Sequence, residues 1–256
     1  MAIGRVLILG GTAEARRLAV ELAARADLDV IVSLAGRTAS PAPQPVPARV
    51  GGFGGAKGLA QYLARERIDA LIDATHPYAA TISANAVYAA QRARIPMLAL
   101  RRAPWIATAG DQWIEVPDVT AAVRALGKEP RRVFLALGRK ELAPFIGAPQ
   151  HYYIVRSVDP IEPPLAVPHA TYLTGRGPFH EADERALLEI HHIAVVVAKN
   201  SGGSATYGKI AAARALAVPV IMLRRPPLPH APAVSTVEEA CAWLAHALAL
   251  STARGV

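Results

Sequence analysis

The feature that most constrains this 256-residue chain is a regular alternation of short apolar runs with helical segments. Eight runs rich in Val, Ile and Leu predict β-strands, at 5–9, 29–34, 69–73, 97–100, 132–136, 170–173, 194–198 and 219–223. Seven segments between and after them predict helices, at 13–25, 56–66, 79–93, 118–126, 180–190, 204–216 and 236–248. Strands that alternate with helices in this way form a parallel sheet covered by helices. The predicted fold class is therefore α/β.

One short internal similarity bears on the domain organisation. The sequences "RVLILGGTAEARRL" at 5–18 and "RVFLALGRKEL" at 132–142 both run from Arg-Val through an apolar strand to a glycine and a charged helix. Strand, glycine and helix in succession are common in α/β folds, so chance is an alternative explanation for the match. Taken as a repeat, it predicts two related halves, at 1–103 and 131–256, with 104–130 as a connecting segment.

Composition excludes several classes of protein. No apolar run approaches the roughly 20 residues that a membrane helix requires. The apolar run at the N-terminus leads into a charged helix rather than into a signal-peptide cleavage site, so we expect a cytoplasmic protein without membrane contact. The single cysteine, Cys241, lies in an apolar stretch, which favours a packing role over a reactive thiol.

The net charge of +8 comes mostly from arginine, and the planar guanidinium suits carboxylates and phosphates. This balance predicts an acidic ligand. Nucleic acid is not expected as a partner, because basic residues form no dense cluster and the chain carries no signature of a nucleic-acid-binding module.

The first predicted strand-to-helix junction, "LGGTAEA", has features of a phosphate-binding turn. Gly10 and Gly11 end the strand, and the hydroxyl of Thr12 can cap the helix. Without a Cβ, the backbone can approach a phosphate closely, and the helix N-terminus contributes partial positive charge. The sequence lacks the full G-x-G-x-x-G pattern, so a tight turn without a ligand is the alternative.

The end of the second predicted strand bears on which dinucleotide could bind. An acidic residue about 20 positions after the glycine turn binds the ribose hydroxyls of NAD, whereas an arginine there accommodates the 2′-phosphate of NADP. In "VIVSLAGR", this position is occupied by Ser33, Gly36 and Arg37, and by no carboxylate. A dinucleotide bound here is therefore expected to be NADP(H).

The third predicted strand ends in "IDATHPYAA", which places Asp73, Thr75, His76 and Tyr78 at the carboxyl edge of the sheet. Ligands of open α/β folds bind at this edge. Pro77 stands where a helix would begin. His76 is a candidate proton donor, and a histidine that caps the helix and bonds to the backbone is the alternative interpretation.

Three loops in the second half join glycine to cations or hydroxyls. They are "LGRKE" at 137–141, "LTGRGPF" at 173–179 and "AKNSGGSATYGK" at 198–209. The last loop resembles an anion-binding turn but lacks the spacing G-x-x-x-x-G-K-[ST], so it does not imply ATP. A polar loop that only caps its own helix is the alternative.

Other site classes find little support. The eight histidines show no metal-ligand spacing, so no metal site is predicted. A short-chain dehydrogenase would carry Tyr-x-x-x-Lys, but Tyr78 is followed four positions later by Ile82. A non-catalytic NADP-binding regulator on the same fold remains an alternative, because a fold does not fix a function.

Four segments together resemble the precorrin-6A reductases of cobalamin biosynthesis. They are "ILGGTAEAR" at 8–16, "DATHPYA" at 73–79, "LTGRGPF" at 173–179, and "KNSGG" at 199–203 with the following "KIAAARALAVPVIMLRRP". The resemblance covers nearly the whole chain, with the segments in the expected order.

The resemblance implies an NADPH-dependent oxidoreductase acting on a CH–CH group. Hydride would pass to ring carbon C19 of the precorrin-6A macrocycle and give precorrin-6B. Two Rossmann-like halves, with parallel sheets flanked by helices, would hold the ligands in a cleft between them. The substrate is a polycarboxylate tetrapyrrole, which suits the arginine-rich composition. A cobalt-loaded substrate is the alternative, and contact with neighbouring pathway enzymes would be transient.

Site residues are assigned on this basis. The residues expected to bind NADPH are Gly10, Gly11, Thr12, Ala13, Ser33, Gly36, Arg37, Thr75, His76, Pro77, Asn200, Ser201, Gly202 and Gly203. The residues expected to bind the macrocycle are Arg139, Lys140, Arg176, Lys199 and Ser204. The catalytic candidates are His76, Tyr78 and Lys199.

Overall fold

The computed structural model describes residues 4–36, 38 and 41–253, with side chains described through Ala249. The chain divides into two compact units, one formed by Met1–Ala103 with Pro226–Val256 and the other by Pro104–Arg225. The chain therefore passes from the first unit to the second and back again.

Up to the first crossing, the elements are β1 (Gly4–Leu9), α1 (Ala13–Ala23), β2 (Leu28–Leu34), β3 (Ala48–Val50), α2 (Gly55–Arg65), β4 (Ala70–Asp73), α3 (Ala80–Ala93) and β5 (Met97–Leu100). The second unit contains β6 (Trp113–Val116), α4 (Val119–Ala125), β7 (Arg132–Ala136), β8 (Tyr152–Ser157), β9 (Ala170–Thr174), α5 (Glu181–Ile190), β10 (Val195–Lys199), α6 (Gly208–Ala215) and β11 (Val220–Leu223). After the return come β12 (Ala233–Val234) and α7 (Val237–Ala253).

Each unit contains one six-stranded sheet in which all pairings are parallel. The first sheet has the order β12-β5-β4-β1-β2-β3, and the second has the order β6-β11-β10-β7-β8-β9. The first order is that of a Rossmann fold, in which the strand order reverses between β1 and β4. In the second sheet, β7 and β10 take the corresponding places. The α/β fold with two Rossmann-like halves is confirmed.

The sixth position of each sheet is filled by a strand from a distant part of the chain. β6 follows β5 in the chain but pairs with β11, and β12 follows β11 but pairs with β5. Residues 104–130, expected as a connecting segment, thus supply a strand and a helix to the second unit. Residues 226–256, expected in the second half, supply a strand and a helix to the first.

The predicted strands all occur, with bounds within one residue of those observed. Four further strands, β3, β6, β8 and β12, were missed. β3 and β12 are only three and two residues long, and β6 carries exposed positions. β8 has a strong strand composition, but two short 3-10 helices, Arg139–Glu141 and Ala143–Gly147, replace the regular helix expected before it.

The central strands of both sheets are buried on both faces, as parallel sheets covered by helices require. In β1, Val6 and Ile8 belong to one buried cluster, whereas Leu7 and Leu9 belong to another. Cys241 packs against the first of these clusters, and burial raises the pKa of its thiol, as expected for a packing role. Among the described helices, none is both long enough and apolar enough to cross a membrane.

Candidate functional site

The turn between β1 and α1 is tied to the end of β4. Thr12 Oγ1 accepts a hydrogen bond from the Ala15 N–H at 3.1 Å and donates one to the Ala74 carbonyl at 2.8 Å. Gly11 has φ +109°, and no atom lies within 4 Å of the place where a Cβ would stand. The turn therefore needs glycine for its backbone conformation. It also leaves open space beside the backbone, as a phosphate site requires.

Asp73 organises the segment that follows β4. Its side chain is buried, and its Oδ1 accepts hydrogen bonds from the Thr75 N–H at 3.1 Å and the Thr75 hydroxyl at 2.6 Å. Its Oδ2 accepts a hydrogen bond from the Ser83 hydroxyl of α3 at 2.6 Å. This carboxylate thus holds the Thr75 turn against the start of the next helix.

His76 folds back onto its own segment. Its Nδ1 accepts a hydrogen bond from the Tyr78 N–H at 3.3 Å, and the two rings lie 5.6 Å apart between centroids. This contact with the backbone is the alternative interpretation that the sequence left open for this residue. The proposed roles of His76 and Tyr78 in catalysis stay predictions.

A small depression lies where β1, β4 and β5 end. It is lined by Thr12, Glu14, Thr75, Pro77, Leu100 and Arg102. Glu14 and Arg102, neither of which was predicted as a site residue, form an ion pair at 2.7 Å with side chains 23% and 15% exposed. The Arg102 guanidinium neutralises the carboxylate in the first turn of α1, where a negative charge would otherwise repel a phosphate.

Ser33, at the end of β2, has an arginine partner that the sequence analysis missed. Arg49 lies in β3 and donates a hydrogen bond from Nη1 to the Ser33 hydroxyl at 2.7 Å. Its guanidinium carbon lies 4.0 Å from the centre of the Phe53 ring, and it also donates to the carbonyls of Gly51 and Gly52. Within the described part of the chain, Arg49 forms no ion pair with a carboxylate.

Two other residues, Gly36 and Arg37, were predicted to bind the cofactor beside Ser33. Gly36 has φ +69°, and a Cβ there would lie 3.2 Å from Val50, so the β2 end packs closely on β3. Arg37 lies outside the described residues. Arg49 could have been found only if β3 had been recognised, because pairing of β2 with β3 brings Arg49 opposite Ser33.

In the second unit, Lys199 and Glu141 form an ion pair where β7 and β10 end. Glu141 also covers the glycine of this junction, since a Cβ at Gly138 would lie 2.6 Å from Glu141 Oε2. The space that is open beside Gly11 in the first unit is thus occupied by a carboxylate in the second.

The "KNSGG" loop bonds largely to its own unit. The Asn200 side chain accepts from the Trp105 N–H at 2.8 Å and donates to the Trp105 carbonyl at 2.9 Å. Arg225 donates to the carbonyls of Asn200 and Ser201, at 2.9 and 3.1 Å. Gly202 and Gly203 have φ +68° and +72°, so these two positions favour glycine for conformational reasons.

The remaining candidates for macrocycle binding are exposed. They are Arg139, Lys140, Arg176 and Ser204. Arg139 and Lys140 stand in the short 3-10 helix after β7, immediately before Glu141. In the ranges 4–36, 38 and 41–253, no group of three or more His, Cys, Asp or Glu residues is arranged to hold a metal ion.

Two parallel sheets with Rossmann strand order, one of them with an open glycine turn at its first junction, define a protein of the double Rossmann-like class. The family model described as "Precorrin-6x reductase CbiJ/CobK" matches residues 5–245. The chain belongs to this family and is an oxidoreductase.

Similar proteins agree with this assignment. A precorrin-6A reductase of a Sinorhizobium species is 56% identical over 96% of this chain and 94% of its own length. The precorrin-6A reductase of Rhodobacter capsulatus is 49% identical over 94% of this chain and 96% of its own length. The cobalt-precorrin-6A reductase of Priestia megaterium is 28% identical over 96% and 99%. A solved structure of CobK precorrin-6A reductase, 49% identical, covers 95% of this chain and 97% of its own with a TM-score of 0.92.

Proposed function

We propose that the protein reduces one double bond of precorrin-6A with NADPH, in cobalamin biosynthesis in the cytoplasm. The single observation that carries this proposal is the match to the reductase family over nearly the whole chain. Relatives of higher identity are named for the metal-free substrate, and the cobalt-substrate relative is more distant. We therefore favour precorrin-6A over its cobalt complex. Contact with neighbouring enzymes of the pathway is expected to be transient.

The first unit is the better site for the dinucleotide. Its glycine turn has open space beside Gly11, whereas Glu141 fills the corresponding place in the second unit. The Glu141 side chain occupies the space that a pyrophosphate would need there, whereas the N-terminus of α1 would attract one. We assign the pyrophosphate to Gly10, Gly11, Thr12 and Ala13, and the nicotinamide side to Thr75, His76 and Pro77.

Arg49 and Ser33 are assigned to the 2′-phosphate of NADPH. The Arg49 guanidinium lies beside the end of β2, where Rossmann folds contact the ribose, and its partners are uncharged. Its positive charge is therefore available to a phosphate, and stacking on Phe53 fixes the plane of its donors before the ligand arrives. Arg37 is retained as a second candidate for this phosphate.

When bound, NADPH supplies the hydride that goes to C19 of the macrocycle, and the ring system takes up a proton. The chain's own residues bind and orient the two reactants, and such positioning can supply a large part of the rate acceleration. Lys199, His76 and Tyr78 are the proposed groups near the chemistry. Arg139, Lys140, Arg176 and Ser204 are proposed to meet carboxylates of the macrocycle, since charge-assisted hydrogen bonds orient such arms.

The direct test is turnover by the purified protein. Loss of NADPH absorbance is expected with precorrin-6A, with one NADPH oxidised for each macrocycle reduced, and precorrin-6B is the expected product by mass. The same assay with the cobalt complex should proceed more slowly. Binding of NADPH without turnover of either substrate would contradict the proposal. It would favour the alternative of a non-catalytic NADP-binding regulator.

A further inference from the structure

The second unit contains an open cleft of about 660 Å³, and two residues already considered as ligand contacts, Gly203 and Ser204, lie in its lining. Aromatic and aliphatic side chains form much of its wall, namely Trp105, Ile106, Phe179 and Tyr207. α5 and α6 both begin at this cleft, since Glu181 and Gly208 also line it. The loops that precede these helices follow β9 and β10, so the cleft lies at the carboxyl edge of the sheet, where ligands bind in this class of fold.

Trp105 is held in place by polar contacts rather than by burial alone. Both of its backbone groups are bonded to the Asn200 side chain, and its indole N–H donates to the Gly203 carbonyl at 2.8 Å. The Tyr207 ring lies 5.6 Å from it between centroids. A large half-buried ring fixed in this way at a cleft loses little conformational entropy when a ligand stacks on it.

Each of the three aromatic rings in the wall has a cation beside it. Lys209 Nζ lies 5.0 Å from the Trp105 ring centre, and the guanidinium carbon of Arg156 lies 3.7 Å from that of Phe179. The guanidinium carbon of Arg214 lies 5.7 Å from the Tyr207 ring centre. Lys209 and Arg156 are outside the cleft lining. These cations help to hold the three rings in fixed positions in the wall, because a cation is attracted to the π face of a ring.

The charge of the lining residues indicates which part of a ligand the cleft would contact. Arg214 is paired with Asp111 at 3.0 Å, and Glu181 adds a carboxylate, so the cleft presents little excess positive charge. A small free anion is therefore a poor occupant. A broad conjugated ring, with its charged arms directed elsewhere, matches the aromatic wall and its exposed edge at Ile106.

We infer that this cleft binds a face of the conjugated tetrapyrrole substrate, with Trp105, Phe179 and Tyr207 as the stacking wall and Ile106 as its apolar edge. The inference rests on the proposed function, because that function supplies a macrocycle. It adds that the second unit recognises the ring system itself and not only its carboxylate arms. Arg176, exposed and three positions before Phe179, is close enough in sequence to serve one of those arms.

Ile106 allows a test with little risk to folding, since its side chain is 78% exposed. Ile106→Asp removes apolar surface and places a negative charge beside a polyanionic ligand. The affinity for precorrin-6A, measured by equilibrium titration without NADPH, should fall by about tenfold or more. NADPH affinity should be unchanged. Ile190→Asp is the matched control, because Ile190 is 72% exposed in the same unit and outside the cleft.

A second pair of variants separates the aromatic face from the rest of the side chain. Trp105→Phe and Trp105→Leu both lose the indole hydrogen bond, but only the phenylalanine keeps an aromatic ring. The KM for precorrin-6A should rise more in the leucine variant than in the phenylalanine variant, while kcat changes less.

The outcomes distinguish this inference from the function on which it rests. If the wild-type protein reduces precorrin-6A but the two aspartate variants bind it with equal affinity, the inference about the cleft is wrong. The proposed reductase function is then unaffected. An equal loss of NADPH affinity in Ile106→Asp, or identical KM values for the two Trp105 variants, would also overturn it. Failure of the wild-type protein to reduce precorrin-6A would contradict both the proposed function and the inference that the cleft binds this macrocycle.

Discussion

At the scale of the residue, the position of a charge relative to its partners decides what it can do. Arg49 and Arg65 both place a guanidinium near the Tyr62 ring, at 5.2 and 5.4 Å. Arg65 is paired with Glu66, whereas Arg49 contacts only the Ser33 hydroxyl and two carbonyls among its hydrogen-bond partners. Of these two arginines, only Arg49 has a guanidinium whose described partners are all uncharged, and this difference underlies its proposed role.

The substitution Arg49→Gln should weaken the binding of NADPH much more than the binding of NADH. A lost charge-assisted hydrogen bond is worth about 1.5–3 kcal/mol, which corresponds to an increase in the NADPH Kd of about 10- to 150-fold. The Kd for NADH should stay within about twofold, because NADH has no 2′-phosphate. Fluorescence titration of both nucleotides measures this directly.

Arg65→Gln is the control for that experiment and should leave both affinities unchanged. Titration with 2′,5′-ADP and 5′-AMP repeats the comparison with fragments that lack the nicotinamide. If Arg49→Gln weakens the binding of NADPH and NADH equally, Arg49 only supports the local structure. Arg37 would then be the candidate for binding the 2′-phosphate.

His151 predicts a pH dependence of stability. The imidazole is buried, with Nδ1 accepting from the Arg131 N–H at 3.2 Å, and burial lowers its pKa below the ordinary value. Below about pH 6.5 the unfolded chain takes up a proton that the folded chain resists. The stabilising contribution of neutral His151 is therefore complete above that pH and decreases as the pH falls toward the lowered pKa.

Urea denaturation at several pH values between 7 and 5 tests this contribution. The free energy of unfolding of the wild-type protein should decrease by up to about 1.4 kcal/mol per pH unit from this group. His151→Asn keeps a hydrogen-bond acceptor but does not titrate, so its profile should be flatter by that amount. Parallel profiles of the two proteins would contradict the prediction.

At the scale of the element, a buried ion pair joins β8 to α5. Arg156 and Glu184 form two hydrogen bonds, one of them 2.8 Å between Nη2 and Oε2, with side chains 9% and 3% exposed. The Arg156 guanidinium also lies between the Phe134 and Phe179 rings, with its carbon 4.9 and 3.7 Å from their centres. The pair thus fixes the start of α5 and the position of Phe179 in the cleft wall.

Breaking this pair on one side should cost more than removing both charges. Arg156→Met or Glu184→Leu leaves a buried charge without its partner, which lowers the free energy of unfolding by about 3–5 kcal/mol. The double variant leaves no unpaired charge and should be less destabilised than the sum of the single variants. A double-mutant cycle by urea denaturation measures the coupling, and additive losses would show that the pair contributes little.

At the scale of the whole molecule, the first unit depends on a distant segment of the chain, whereas the second unit is continuous. α7 contributes Val237, Ala240 and Leu244 to the core of the first unit, and β12 completes its sheet. These residues follow the entire second unit in the chain. The first unit therefore cannot complete its core until nearly all of the chain is present.

A chain truncated after Arg225 should lose structure mainly in the first unit. Removal of α7 exposes the apolar cluster that includes Ile8 and Leu18, while the second sheet keeps all six strands. Hydrogen exchange read by mass spectrometry should show fast exchange in β1 and β4 and near-normal protection in β7 and β10. Equal protection of both sheets would contradict this division of the molecule.

The sequence by itself determined most of the elements and the glycine turn at the end of β1. Alternating apolar runs predicted strands such as β1 and β4, because burial on both faces of a parallel sheet leaves a local signal in composition. The glycine turn at Gly11 also leaves a local signal, because a positive φ restricts the residue type at that single position.

Only the tertiary structure decided which distant segments meet. The pairing of β2 with β3 brings Arg49 to Ser33, and the pairing of β12 with β5 returns the C-terminal segment to the first unit. Short strands such as β3 carry too few residues for a periodic pattern. Their partners are chosen by hydrogen bonding and packing between residues far apart in the chain, which no local pattern records.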